Sequence, residues 1–243
     1  MKQNMSKKLG IIGGLSWYST QEYYRLINEG VTKKWCEQRN PRILVNSLDF
    51  REVTELFKSP KDAISYLVEE STLLQNAGCN ALILASNTAH VAYDEIEAQL
   101  KIPMFHIGDA VSQSLSEQGI KKALLLGTKY TMGKDFYQKR LAKNGIELQI
   151  PEGNDFKEVD RIIYEELVEG HISEKSRVIY QEIIEKHRSD GVKAAIAGCT
   201  EIPLLINQSQ CPIALIESTK VHCEMAIKWF TDEHEITDTK VKS

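Results

Sequence analysis

The sequence predicts an α/β protein whose parallel sheets are covered by helices on both faces. Three observations carry that prediction. Short runs of small and branched apolar residues alternate with segments of helical periodicity along most of the 243 residues. Several of those runs empty into glycine or small polar residues, the place where open α/β sheets keep their chemistry. The distances between such exits also recur: Gly13 precedes Ser86 by 73 residues and Gly127 precedes Cys199 by 72.

Taken in order, Leu9-Gly-Ile-Ile-Gly-Gly reads as a strand leaving into a glycine turn. A helix follows from Ser16 to Thr32, with Tyr24, Ile27 and Val31 on one face. Arg42 to Leu48 is a second strand, with Asp49, Phe50 and Arg51 in the loop beyond it. Lys61 to Asn76 is a helix with Pro60 before it and Gly78 after it, the asymmetry helix ends prefer. Asn80 to Ala85 is a strand that delivers Ser86-Asn87-Thr88-Ala89-His90. Helix Val91 to Leu100, strand Ile102 to Ile107 and helix Ala110 to Gln118, with Asp109 as its predicted cap, complete the first unit.

The second unit runs through strand Lys122 to Leu126, helix Lys134 to Asn144, strand Glu147 to Ile150 and helices Lys157 to Val168 and Lys175 to Arg188. It then reaches Lys-Ala-Ala-Ile-Ala-Gly-Cys-Thr-Glu at 193–201, an apolar run that sets a thiol at a strand end. Strand Pro212 to Ile216 and helix Thr219 to Phe230 follow. Each unit closes alike, because Ser86 precedes Pro103 by 17 residues and Cys199 precedes Pro212 by 13, both prolines lying in short strands. An internal duplication of about 110 residues follows, close to ordinary domain size. Its strand-end loops face one another across a cleft, with Ser86 and Cys199 in equivalent places.

Composition narrows the partner. A net charge of −4 and an isoelectric point near 5.9 give no electrostatic reason to expect nucleic acid or an anionic membrane, which leaves a small molecule. Cys36, Cys79, Cys199, Cys211 and Cys223 are odd in number and dispersed, with no CxxC or His/Cys cluster at metal-ligand spacing. That pattern, no recognisable signal peptide and no apolar run near ~18 residues predict a soluble cytoplasmic protein.

Four stretches together resemble the aspartate/glutamate racemase family, the cofactor-independent amino-acid racemases. They are Gly10-Ile-Ile-Gly-Gly-Leu-Ser-Trp, Ser86-Asn-Thr-Ala-His, Leu126-Gly-Thr-Lys-Tyr-Thr-Met-Gly and Gly198-Cys-Thr-Glu-Ile. The resemblance implies two Rossmann-like domains related by pseudosymmetry, the final strand and helix returning to the first. It thus sets residues 1–105 with 212–231 as the first domain, 106–211 as the second and 232–243 as a polar tail. It implies an active site between the domains, a homodimer, and no need of pyridoxal phosphate or metal.

In that family two cysteines on opposite faces exchange the α-proton, and the first belongs at the residue before Asn87-Thr88, which here is Ser86. The resemblance therefore makes Cys199 the thiolate base and acid and places Ser86 on the opposite face as a poor base. The resemblance implies aspartate or glutamate as substrate, with a bias toward the L-enantiomer. Nearby donors are expected to give Cys199 a useful thiolate fraction; Glu201 is a candidate to orient or tune it, although a carboxylate close to the sulfur would disfavour the thiolate. Asn87, Thr88 and Thr200 are assigned to the α-carboxylate, Gly14, Ser16 and Thr128 to donors near it, and Ser47 to the side-chain carboxylate. Asn87 and Thr88 also suit helix capping, and His90 suits packing. A one-cysteine decarboxylase or isomerase and an amino-acid-binding protein without turnover remain alternatives.

Overall fold

The structure is a computed structural model that describes residues 7–35 and 39–232. Cys36 and the tail beyond Asp232 lie outside the described residues. Two four-stranded parallel sheets form, of orders β2-β1-β3-β4 and β6-β5-β7-β8. The first holds β1 (Lys8–Gly13), β2 (Arg42–Ser47), β3 (Ala81–Leu84) and β4 (Met104–Phe105). The second holds β5 (Lys122–Leu126), β6 (Glu147–Gln149), β7 (Ala194–Ala197) and β8 (Ala214–Glu217). The predicted α/β class and the repeat are both present in that ordering. Leu84 pairs with Ile12 as Ala197 pairs with Leu126, so corresponding strands meet in corresponding register.

The central strands are buried throughout because both faces are covered. β3 and β7 carry only small or branched apolar side chains for that reason. β2 lies at an edge, and Leu44 and Val45 are partly exposed there. Helix α1 (Trp17–Trp35) presents Tyr23, Ile27 and Val31 to the sheet. The expected Tyr24 is 50% exposed, since residues four apart share a helix face and Tyr23, not Tyr24, keeps that step with Ile27.

Beyond β2, α2 (Phe50–Leu56) occupies what the sequence reading leaves as a loop. Asp49 caps it by accepting from the Glu52 N–H at 2.9 Å, and Arg51 is on its exposed side. Helix α3 (Pro60–Asn76) follows as predicted, then a 3₁₀ turn over Thr88–Ala92 and α4 (Tyr93–Gln99). The N-cap of α5 (Ile107–Glu117) is His106, whose Nδ1 accepts from the Gly108 N–H at 2.8 Å. Asp109, the predicted cap, sits inside the first turn and pairs with Arg140 at 3.0 Å. In the second unit α7 (Phe136–Ala142) answers the predicted helix Lys134 to Asn144, and the short α6 (Lys129–Gly133) precedes it where the sequence reading leaves a loop. The stretch read as continuous from Lys157 is α8 (Gly153–Ile162) followed by a π turn over Ile163–Leu167. Helix α9 (Glu174–Ser189), the single-turn α10 (Ile202–Leu205) and α11 (Ser218–Thr231) complete the fold.

The two units exchange their last helices. Ile107, Val111 and Leu115 of α5 pack into the core of the second sheet. Cys223, Ala226, Ile227 and Phe230 of α11 pack against Leu9, Ile11 and Ile83 of the first. The return of residues 212–231 to the first domain therefore needs correction. β8 stays in the second sheet, where Ala214 to Glu217 pair with Ala194 to Ala197, and only α11 crosses back. It lies close enough to α1 that a Cβ at Gly30 would stand 2.3 Å from Ile227 Cδ1. No helix among the described residues is long and apolar enough to cross a membrane.

Candidate active site

In each sheet the order 2-1-3-4 puts a topological switch point between the first and third strands, where ligands sit beyond the carboxyl ends. Ser86 lies two residues past β3 and Cys199 two residues past β7. Matching hydrogen bonds close the two turns, Ala85 N–H to Ile12 O at 2.8 Å and Gly198 N–H to Leu126 O at 2.7 Å. Gly198 admits that approach because a Cβ there would stand 2.8 Å from Leu126 O.

Cys199 is half-buried, and its Sγ–H donates to Glu201 Oε2 at 2.9 Å. Glu201 is 6% exposed, so its charge is poorly screened. Burial first, and then the Glu201 charge and hydrogen bond, push the thiol well above its ordinary range, while the Glu201 and Thr200 N–H groups pull weakly the other way. The resting group is a thiol paired with a carboxylate, and the expected lowering by nearby donors is outweighed. Tyr164, in the π turn, has its phenol pushed up to about 12 by burial, then by the charges of Asp160 and Cys199. Tyr164 is 45% exposed, and uninterrupted helical periodicity gives no means to foresee the π turn that carries it.

Ser86, Thr88 and Thr200 are half-buried, and their hydroxyls make no hydrogen bond within the described residues. They are free to meet a ligand. The Ser86 carbonyl accepts from His90 Nδ1 at 2.8 Å, and His90 Nε2 accepts from the Ile107 N–H at 3.1 Å. His90 is therefore a buried tether, as its packing assignment anticipates.

Asn87 is already occupied. Tyr137 donates to its Oδ1 at 2.5 Å, and its Nδ2 donates to Ser218 Oγ at 3.2 Å. Only one amide hydrogen is left for a carboxylate. Asn87 is also not a side-chain cap for the turn that follows it.

The first glycine turn has other employment too. Gly14 donates its N–H to Thr20 Oγ1 at 2.9 Å, which removes it as a ligand donor. Its φ of +86° and its 2.0 Å approach from an added Cβ to Leu48 O make it a turn residue. Ser16 Oγ accepts from the Ser19 N–H at 3.2 Å, opening α1. Thr128 caps α6, accepting from the Thr131 N–H at 3.3 Å and donating to Thr131 Oγ1 at 3.3 Å. Ser47 is exposed at the edge strand, paired in register with Gly13, one strand removed from the switch point.

A cavity of about 280 Å³ reaches Cys199 and Thr200 from the side of α1 and α11, near the lower size of small-molecule pockets. Tyr18, Glu22, Arg25 and Lys220 line it. None of these four stands out in sequence, since each comes from a helix turn with no motif around it.

Two equivalent strand ends of a parallel α/β fold, one with a thiol and buried carboxylate and the other with a hydroxyl, define the class of protein, and the cavity is lined from the Cys199 end. The comparisons agree with that class. The Asp/Glu/Hydantoin racemase family profile matches residues 12–226, and the chain belongs to that family. It is 40% identical to a putative Asp/Glu racemase from Yersinia pestis, with a TM-score of 0.89 over 93% of this chain and 100% of that one. An aspartate racemase homologue from Pyrococcus horikoshii is 34% identical with a TM-score of 0.83, again over 93% and 100%. The broad specificity amino-acid racemase RacX of Bacillus subtilis is 29% identical over 153 residues, 63% of this chain and 66% of RacX.

Proposed function

We propose that this protein interconverts the enantiomers of an acidic amino acid, aspartate or glutamate, by proton exchange at Cα without a cofactor. The Cys199–Glu201 pair serves one face of the substrate and Ser86 the other. The observation that carries this reading is the 2.9 Å hydrogen bond from Cys199 Sγ to a buried carboxylate at the strand end equivalent to that of Ser86. Glu201 takes the thiol proton, the resulting thiolate removes the Cα proton, and a proton delivered from the Ser86 side completes inversion. Thr88, Thr200 and the remaining Asn87 amide hydrogen hold the α-carboxylate.

Asymmetry follows from the residue types. Cys199 has a carboxylate to take its proton, whereas the Ser86 hydroxyl has no partner within the described residues. Removal of a proton is therefore faster from the Cys199 face, which we assign to the L-enantiomer. A homodimer is part of the same proposal, with the exposed edge strand carrying Leu44 and Val45 as its contact surface.

Incubation with L- and D-aspartate and L- and D-glutamate in deuterium oxide tests the reading. Deuterium enters at Cα and the opposite enantiomer accumulates; absence of both with every acidic amino acid at high enzyme concentration refutes it. The raised thiol favours a second reading, in which Cys199 protonates a carbanion left by decarboxylation. Carbon dioxide release distinguishes the two.

A further inference from the structure

We infer that Tyr137 is a positioning residue for the Ser86 face of the site, acting through Asn87 and Ser218 on the strand ends that carry Ser86 and Cys199; the inference rests on the racemase reading. Tyr137 belongs to α7 of the second unit and is 0% exposed, yet its hydroxyl donates across the seam to Asn87 Oδ1 of the first unit at 2.5 Å. Asn87 Nδ2 donates to Ser218 Oγ at 3.2 Å, and Ser218 Oγ donates to Ala197 O at 2.7 Å. Ala197 is the last residue of β7, two before Cys199. Three hydrogen bonds with one donor direction thus run from α7 through the neighbour of Ser86 to the strand that carries Cys199.

The Ser86–Asn87 dipeptide is held a second time from the same side. His90 Nδ1 donates to the Ser86 carbonyl, and His90 Nε2 accepts from the N–H of Ile107, whose helix α5 packs in the second core. Backbone and side chain of the dipeptide are therefore both anchored on the opposite unit. Buried hydrogen bonds of this kind have narrow angular tolerance and gain strength in low dielectric. Deleting the phenolic hydroxyl leaves Asn87 Oδ1 without its donor, which frees the dipeptide to turn.

The proposed chemistry supplies a readout specific to position. After Cys199 takes the Cα proton, its sulfur exchanges that proton with solvent deuterium. The carbanion then either recovers deuterium from Cys199, giving labelled L-enantiomer by exchange without inversion, or receives deuterium from the Ser86 side, giving labelled D-enantiomer by inversion. The ratio of exchange to inversion depends on where Ser86 stands relative to Cys199.

The full-length Tyr137→Phe variant is compared with the parent protein on L-aspartate and L-glutamate in deuterium oxide, following Cα deuterium by mass spectrometry and enantiomers by chiral chromatography. Inversion should fall about tenfold or more, with exchange on the L face at saturating substrate falling less than about threefold. Equal losses in both, or no change in either, overturn the positioning role. Ser218→Ala breaks the same chain without added bulk and should move the ratio in the same direction. It decides the matter should Tyr137→Phe prove too unstable to assay. A parent protein that neither exchanges nor inverts any acidic amino acid instead overturns the racemase reading, and the inference with it.

Discussion

Cys199 Sγ and Glu201 Oε2 stand 2.9 Å apart, two residues along the chain, with the thiol donating and the carboxylate buried. The single proton shared by this pair is the reagent of the proposed reaction. A carboxylate near a thiol disfavours the thiolate at rest but offers its proton a destination at the moment of use.

Cys199→Ser should abolish Cα exchange starting from either enantiomer. A serine hydroxyl beside the same carboxylate is far too weak an acid to be converted into the base. Deuterium exchange by mass spectrometry measures this, and residual exchange in the variant moves the chemistry to another residue.

Glu201→Gln should separate reactivity from catalysis. Replacing the carboxylate removes its charge and leaves burial as the main influence holding the thiol up. Alkylation of Cys199 by iodoacetamide near neutral pH should accelerate, by about threefold for each unit the thiol falls, the larger thiolate fraction being partly offset by lower intrinsic nucleophilicity. Inversion should slow by about 10² because the proton acceptor is gone. Slower alkylation would show that Glu201 does not oppose the thiolate.

Stability should fall on mild acidification. His90, His106 and His222 are buried together, with ring centroids 4.9 Å apart for His90–His106 and 5.3 Å for His90–His222. Each is held below its ordinary value chiefly by burial, His90 to about 4. Unfolded histidine takes up a proton near 6.5, so between that pH and the folded value the unfolded state binds more protons. Their contribution is complete above about pH 6.5 and declines as pH falls, by about 1.4 kcal/mol per unit for each histidine. For His90 the loss levels off below about pH 4, while His106 and His222 continue lower. Urea midpoints at pH 7.5 and pH 5 measure the slope; a flat profile contradicts it.

Gly14→Ala should cost more stability than Gly119→Ala. Both glycines have positive φ, +86° and +68°, but the added Cβ at Gly14 meets Leu48 O at 2.0 Å while that at Gly119 meets nothing within 4 Å. Conformational cost alone is about 1 kcal/mol, and the clash should bring Gly14→Ala beyond about 2 kcal/mol in urea unfolding. Equal losses would mean that the turn at Leu48 yields freely.

Periodicity and punctuation made most of the fold legible. β5 begins and ends as read, and the strand-end positions of Ser86 and Cys199 follow from runs whose interiors are wholly apolar. Asp49 and Glu52 carried the signal for α2, an acidic cap with a glutamate three residues on, which a reading focused on the strand end passed over. Other features depend on contacts between distant segments. Nothing local distinguishes a strand that stays in the second sheet from one that returns to the first, so the placement of β8 needed its pairing with β7. Nor does the phenol at Tyr137 announce that it will claim the Asn87 carboxamide from 50 residues away. The site was legible where chemistry is carried by residue type at a strand end, and illegible where it is carried by what occupies those residues from the other unit.

The exchange of α5 and α11 has a consequence for how such a chain can arise. A lone repeat would export its final helix and leave one face of its own sheet bare, so it could not stand as a finished monomer. Two copies clasped reciprocally would cover each other, and a symmetric pair of that kind already owns both walls of the cleft. Fusing the pair into one polypeptide frees each wall to drift separately, and a thiol on one side facing a hydroxyl on the other is a difference that no symmetric ancestor could have carried.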